Sequence, residues 1–510
     1  MARVLAPLVT LASVILVLAS GAWVTVSNQR ARFFKQHVVL VGLDELGWHF
    51  ARACANSGLD VVAIEADPDN PRIERVRRLN VPVIVGDPLS EQVLRRSGIQ
   101  RAAELVAFLG TDAANVELTV RVKTLLQTRE RLPSASPLRI HNHMTDPSLA
   151  QALERYPKLF VDRDLVESSF FNVDELAARK LLLDHPVDVY ADAMGRQVVH
   201  VIIVGATRMA REVILQIGNT AHFANGHRPR VTVCAPGADS VVAMLVADHP
   251  GLGHAVELAA LEAPKALQAL GEIAGDPRVG GVSQFIVCGR DDAESLAQSL
   301  ILRHGMQLHR DVNAPIMLHM RTSDGLARML ESVEPEPEIP DGLCPFGTLD
   351  EILNDETIIN ARQDDLARAL HDNYLDTTKA NGTHDANAPS QSLWRVLPES
   401  FRRDNRHEAD HVDAKLRAVG CVESDDDAAI TFSPAEIERL AHMEKSRFVA
   451  VRYVAGWQHG LRRSDFGKVA DLRPWEEISD GATTSPVSKR FPAFCAPASA
   501  RVSDASVWWG

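Results

Sequence analysis

The sequence predicts an α/β chain: two parallel-sheet lobes, a mainly α-helical C-terminal domain and one N-terminal transmembrane helix. Three observations predict it. Two distant stretches, "HVVLVGLDELGWHFARACANSGLDVVAIEAD" from His37 and "HVIIVGATRMAREVILQIG" from His200, each read as strand, glycine turn and helix. From Trp394 onward the apolar positions recur at helical spacing instead. Val4 to Ser27 carries no charge over 24 positions.

At about 1.5 Å per residue that uncharged stretch is long enough for a hydrocarbon core of about 30 Å. Arg30, Arg32 and Lys35 follow it and only Arg3 precedes it, so the positive-inside bias predicts a single-pass inner-membrane helix over 4–27 with the rest cytoplasmic. A chain of 510 residues predicts several domains, and a net charge of −13 argues against a general nucleic-acid binder. The six cysteines lie far apart with no CxxC, which points to a reducing compartment.

In the first lobe, Val38 to Val41 is a β-branched and leucine run suited to a strand buried on both faces. Gly42 permits a tight turn and Gly47 a close helix–strand approach, which makes this a Rossmann-like unit. The helix should stop at Ser57-Gly58. The second strand ends in Glu65 and Asp67, and Glu65 lies 23 residues after Gly42, near the spacing at which a carboxylate meets ribose hydroxyls. Asp44 stands where a middle glycine would let the backbone approach a pyrophosphate. Two more strands should end at Gly86-Asp87 and Thr111-Asp112, with Asn115 on the next helix.

This ordered set resembles the N-terminal lobe of RCK (TrkA-N) domains, which regulate potassium channels and transporters, over about residues 36–155. The resemblance implies NAD(H) or another adenine nucleotide as a regulatory ligand. Glu65 would then hold ribose, Asp87 would sit near adenine, and Gly42 with Gly47 would frame the phosphates. Asp44 puts a diphosphate in doubt more than an adenosine moiety.

The pattern then repeats. Gly205 falls 163 residues after Gly42, Asp291 falls 179 after Asp112, and His319 falls 178 after His141. Such a period predicts an internal duplication over 196–330. The second copy has Thr207 and Ala210 in place of glycines, and its second strand ends in Cys234-Ala235-Pro236 with no acid for ribose. It is expected to serve as a packing partner. "HNH" at His141 to His143 lacks further ligands at metal spacing, so no metal site is expected there.

Residues 331–391 read as a linker containing one helix, beginning with the acidic, proline-rich "ESVEPEPEIPDG". Ser433, Pro434 and Glu436 form a capping box before an apolar stripe that also carries Glu444. A carboxylate on such a face needs a partner, either an arginine such as Arg406 or Arg447, or a ligand.

Residues 392–480 resemble the RyR domain named from ryanodine receptors. The match rests on Trp394, Asn405-Arg406, Ala409-Asp410-His411, Lys415-Leu416, Leu440-Ala441, Arg447, Gly456-Trp457, Gly460, Lys468 and Pro474-Trp475, with Phe448 where that family usually has Trp. The resemblance implies a second pocket for a nucleotide-derived ligand, with Asn405, Arg406, His411, Glu444, Arg447 and Trp457 as candidates. The tail over 481–510 reads as disordered.

Together these features predict a non-catalytic, membrane-anchored nucleotide sensor. Its partners would be a nucleotide-derived small molecule, the membrane, further copies of itself and a separate ion-channel or effector subunit, with no nucleic acid. The alternatives are a scaffold with vestigial pockets and a nicotinamide-dependent oxidoreductase, which would need a substrate domain with a positioned acid or base.

Overall fold

The computed structural model describes residues 33–128, 136–146, 149, 153, 161–162, 165–263, 281–308, 314–322, 343–421, 431–460, 469–470 and 472–473. The chain divides into two compact units. One comprises Met1–Val173 with Leu349–Arg362 and Arg395–Ser400; the other comprises Asp174–Thr348, Gln363–Trp394 and Phe401–Gly510.

The first unit is built on a sheet of β1 (Val38–Val41), β2 (Val61–Glu65), β3 (Val83–Val85), β4 (Glu104–Ala107), β5 (Leu138–His143), β6 (Val161–Asp162) and β7 (Val166–Phe171). Their order is β3-β2-β1-β4-β5-β7-β6, parallel except for the β6–β7 pair. Every residue of β1 and β2 is buried, as continuous aliphatic strands covered on both faces require. Val39, Ile64, Leu105 and Ile140 form the core with Leu118 and Val122 of the helix after β4. The lobe runs past residue 155, because β7 pairs with β5. Helix α1 (Glu45–Asn56) follows β1 and stops at Ser57, and Gly58 takes the left-handed conformation at φ +76°. Helix α2 (Asp112–Thr128) follows β4.

The second unit repeats the topology. Strands β8 (His200–Val204), β9 (Arg230–Ala235), β10 (Glu257–Glu262), β11 (Gln284–Val287), β12 (Ile316–His319) and β13 (Leu343–Phe346) are ordered β10-β9-β8-β11-β12-β13, all parallel. Its helices include α3 (Arg208–Thr220), α4 (Ala238–Asp248), α5 (Leu252–Ala255) and α6 (Asp292–Leu308). Two landmarks of the duplication shift. Asp292, not Asp291, begins its helix as Asp112 does, and it accepts the N–H groups of Arg321 and Thr322 as Asp112 accepts those of Thr145 and Asp146. His319 ends β12 as His143, not His141, ends β5, and each ring lies 5.6 Å from a phenylalanine, Phe346 or Phe171. β13 comes from the segment expected to be a linker. It lies at the sheet edge, where Pro345 costs no ladder hydrogen bond to a further strand.

Helices α7 (Asp365–Ala380), α8 (Glu399–Asp410), α9 (Val412–Ala418) and α10 (Pro434–Val454) make up most of the C-terminal helical region. Ser433 caps α10 through the predicted capping box. The end of α10 packs on the second lobe, where His254 stacks on Tyr453 with centroids 4.1 Å apart. A Cβ on Gly251 would come within 2.0 Å of the Tyr453 carbonyl oxygen, so only glycine allows that approach.

The membrane anchor is corrected. Among the described residues no helix is long and apolar enough to cross a membrane. The longest, α10, carries Glu436, Glu438, Arg439, Glu444, Lys445, Arg447 and Arg452 in its 21 residues. Residues 4–27 lie outside the described residues, as do the expected tail over 481–510 and the Pro474-Trp475 pair. The structure thus supports two α/β lobes and a helical region, and it does not support the expected transmembrane helix, membrane partner and inner-membrane location.

Candidate functional site

The site lies where β1 and β2 end. Gly42 has φ +92°, and a Cβ on it would lie 2.4 Å from the Phe108 carbonyl oxygen. A Cβ on Gly47 would lie 2.0 Å from the Gly42 carbonyl oxygen. Both glycines are therefore required by the turn itself, whatever it binds. Asp44 is the N-cap of α1, and its Oδ1 accepts the Gly47 N–H at 2.9 Å.

Glu65 ends β2 with its side chain buried. Its Oε2 accepts the Leu43 N–H and the Asn70 amide, both at 2.9 Å, and its Oε1 accepts the Asp67 N–H at 2.9 Å. A carboxylate offers about four lone-pair positions. Three are used, which leaves one on Oε1 for a hydroxyl. Asn70 was missed from sequence: it also donates to the Leu43 carbonyl at 3.0 Å, tying the glycine turn to the loop after β2. Its only signal is the turn-forming run Asp67-Pro68-Asp69-Asn70-Pro71.

The other predicted residues divide by role. Asp67 is exposed and accepts the Asp69 N–H at 2.9 Å. Gly86 has φ +154° with the Val93 side chain 2.8 Å from where a Cβ would stand, and Asp87 is exposed at the end of β3, accepting the Leu89 N–H. Thr111 accepts the Ala114 N–H at 3.3 Å. Asp112 braces the loop after β5. Asn115 is fully buried and joins the ends of β4 and β5, accepting from Leu109 N–H at 2.9 Å and donating to the His143 carbonyl at 2.8 Å. Asp112 and Asn115 thus bond the loop after β5 and the ends of β4 and β5, whereas Gly42, Asp44 and Glu65 are joined around one turn through Leu43 and Gly47.

In "HNH", His141 lies 3.0 Å from the Glu104 carboxylate and 3.1 Å from the Ser169 hydroxyl.

In the second lobe Gly205 repeats the tight turn, with the Cys288 carbonyl oxygen 2.2 Å from a Cβ position, and Thr207 caps α3. Strand β9 ends at Ala235, so no carboxylate occupies the position of Glu65.

The C-terminal candidates are engaged with one another and with the protein. Glu444 accepts from Lys415 Nζ at 2.6 Å and from Arg447 at 2.5 and 3.0 Å, all three groups buried. Burial raises the Glu444 carboxyl, but Arg447 and Lys415 outweigh it and hold it well below the usual range. Arg406 bonds Asp364 at 2.8 Å, and Asp364 also bonds Arg179, which reaches Asp410. His411 Nε2 lies 2.6 Å from the His222 carbonyl oxygen, and burial, with Lys415 next, keeps the imidazole well below its ordinary pKa. Asn405 donates to the Phe401 carbonyl, and Trp457 lies 4.4 Å beneath the Arg452 guanidinium. Of the residues expected to line a pocket here, Arg406, Glu444 and Arg447 are thus ion-paired within the protein and His411 is bonded to a backbone carbonyl.

Residues 38–154 match the family model of the TrkA-N domain. The chain is 38% identical over 79 residues to a Trk system potassium uptake protein TrkA homolog of Archaeoglobus fulgidus, covering 16% of this chain and 17% of that protein. It is 30% identical over 87 residues to the glutathione-regulated potassium-efflux system protein KefC of Cronobacter sakazakii, covering 17% and 14%. The match thus spans less than a fifth of either relative. The solved GsuK channel bound to NAD aligns over 65% of this chain and 66% of its own at 12% identity, with a TM-score of 0.39, too loose to say more. Residues 38–154, which match the TrkA-N model, thus form the first of two lobes with the same central strand order.

Proposed function

We propose that this chain is a non-catalytic regulatory module of potassium transport whose first lobe binds an adenine nucleotide, NAD(H) among them, while the second lobe and the helical region act as scaffold. The observation that carries this reading is Glu65, a buried carboxylate at the end of β2 with one acceptor position left beside the turn of a TrkA-N lobe. The matched relatives are named for potassium uptake and efflux, which supports the process. The absence of a Glu65 counterpart at Ala235, and the internal pairing of the C-terminal candidates, favour one pocket over two. The expected membrane-anchored sensor with two pockets is replaced by this reading, which takes the scaffold alternative for everything but the first lobe.

Residues 392–480 are proposed to be a RyR domain on the motif residues above, with a structural role. Self-association is proposed through α4, whose sequence is mostly apolar yet which buries only Ala238 and Leu245 and leaves Met244 68% exposed.

Calorimetric titration of the full chain with adenosine, ADP and NAD, repeated in Glu65→Ala, tests the nucleotide. Binding that disappears in Glu65→Ala supports the reading; binding that survives, or none to either protein, refutes it.

A further inference from the structure

We infer that Asp44 is a built-in competitor for the phosphate end of the first lobe's ligand, so that the diphosphate of ADP or NAD(H) adds little affinity beyond that of the adenosine moiety. The inference rests on the proposed nucleotide site and adds its specificity. In a phosphate-binding turn the second glycine lets the backbone approach the pyrophosphate, and the free N–H groups at the helix start receive it. Here the turn is Gly42-Leu43-Asp44-Glu45-Leu46-Gly47, and the side chain at that second position is a carboxylate. It does more than narrow the approach. Asp44 Oδ1 takes the Gly47 N–H at 2.9 Å, while Glu65 Oε2 takes the Leu43 N–H at 2.9 Å. Two donors of the turn are therefore already occupied, each by an anionic oxygen.

Charge adds to this. Glu45 follows directly, an acidic residue in the first turn of α1, while Arg72 is near enough to Asp44 to favour its charged form. Like charges repel at close range, so a phosphate chain approaching the Asp44 N-cap meets an anionic oxygen. A diphosphate can use the Gly47 N–H only by displacing the Asp44 side chain and uncapping α1. The second lobe shows the contrast: Thr207 caps α3 from the corresponding place with a neutral hydroxyl, accepting the Ala210 N–H at 3.3 Å. Capping alone does not call for an acid. The ribose end is unaffected, because Glu65 keeps its free acceptor position on Oε1.

The test uses the full chain and two variants. Asp44→Asn keeps an N-cap acceptor and removes the charge, and Asp44→Gly removes both. Dissociation constants for adenosine and ADP are measured calorimetrically in each protein. The expected result is that wild type binds ADP no tighter than adenosine, that Asp44→Asn gains affinity for ADP, and that Asp44→Gly gains at least about tenfold, or about 1.4 kcal/mol. Adenosine affinity should stay the same in all three. An ADP-to-adenosine ratio that is the same in all three proteins overturns the inference, as does wild type binding ADP about tenfold tighter than adenosine. Adenosine binding lost in Glu65→Ala keeps the nucleotide reading standing even if the ratio does not move. No binding of either compound by any of the three proteins refutes both.

Discussion

Glu65 and Asn70 hold the glycine turn between them: Asn70 Nδ2 donates to Glu65 Oε2 at 2.9 Å and to the Leu43 carbonyl at 3.0 Å. Glu65 is thus both a candidate ligand contact and a structural acceptor. Glu65→Ala leaves the Leu43 N–H and the Asn70 amide without this acceptor, at about 1–3 kcal/mol. Asn70→Ala removes the brace but leaves the carboxylate. Thermal unfolding should show Glu65→Ala well below wild type and Asn70→Ala between them. Asn70→Ala should weaken adenosine binding without abolishing it; full binding in Asn70→Ala would deny the turn a part in the site.

Gly47→Ala tests the turn without touching any charge. Its Cβ would lie 2.0 Å from the Gly42 carbonyl oxygen, a backbone atom that cannot rotate away. Overpacking of this kind costs about 1–3 kcal/mol. Denaturant unfolding should show a lower midpoint, and adenosine binding should fall with it. A wild-type midpoint would mean that the approach of α1 to β1 is looser than described.

The buried triad Lys415–Glu444–Arg447 should respond asymmetrically. Glu444→Gln leaves two buried cations facing a neutral amide, and breaking such a pair costs about 3–5 kcal/mol. The triple variant Lys415→Met, Glu444→Leu, Arg447→Met removes all three charges and should recover most of that loss. Unfolding midpoints of the single and triple variants decide it. If the triad instead holds an anionic ligand, Glu444→Gln would be stabilised by nucleotide, which the internal pairing argues against.

Much of this was legible in sequence where the signal is local. β1, Gly42, Gly47 and Glu65 follow from aliphatic runs and turn chemistry within a single βαβ stretch, and they stand where expected. Glu444 was legible as needing a partner, and Arg447 at three residues' distance is one turn of helix away. Lys415 was not, because it comes from a separate helix. Neither was the Arg179–Asp364 pair, 185 residues apart in the chain, which only the fold brings together. β13 was hidden for another reason: Leu343–Phe346 is four residues long, contains a proline and follows an acidic, proline-rich run, so periodicity had nothing to work on. The two slipped landmarks share one cause. Asp291 and Asp292 are adjacent, and His141 and His143 are two apart, so spacing alone cannot choose between them, whereas helix starts and strand ends can.

The second unit should be acid-labile. Burial lowers the His222 pKa to about 4, and burial, with Arg321 next, lowers His319 to about 4. In the unfolded chain each takes a proton near 6.5. Between those values the unfolded state binds more protons than the folded one, so stability rises with pH across that window and is lost as pH falls from about 6.5 towards 4. On this basis each such histidine makes the fold more stable at neutral pH than below pH 4 by about 3 kcal/mol. Burial lowers His407 and His411 further, in the same sense. Glu212 acts in the opposite direction: burial, with Glu175 next, raises it to about 7, so its contribution is present at low pH and lost as pH rises through about 7. His185 and His249 are lowered by burial as well, while Asp174, Asp192 and Asp410 are raised by it and act with Glu212, so the histidines set the sign and unfolding free energies should fall from pH 6.5 to 4. His319→Asn should make that slope shallower while leaving the pH 8 value lower by the lost packing against Phe346. A wild-type slope in His319→Asn would mean that His319 is already protonated in the folded chain.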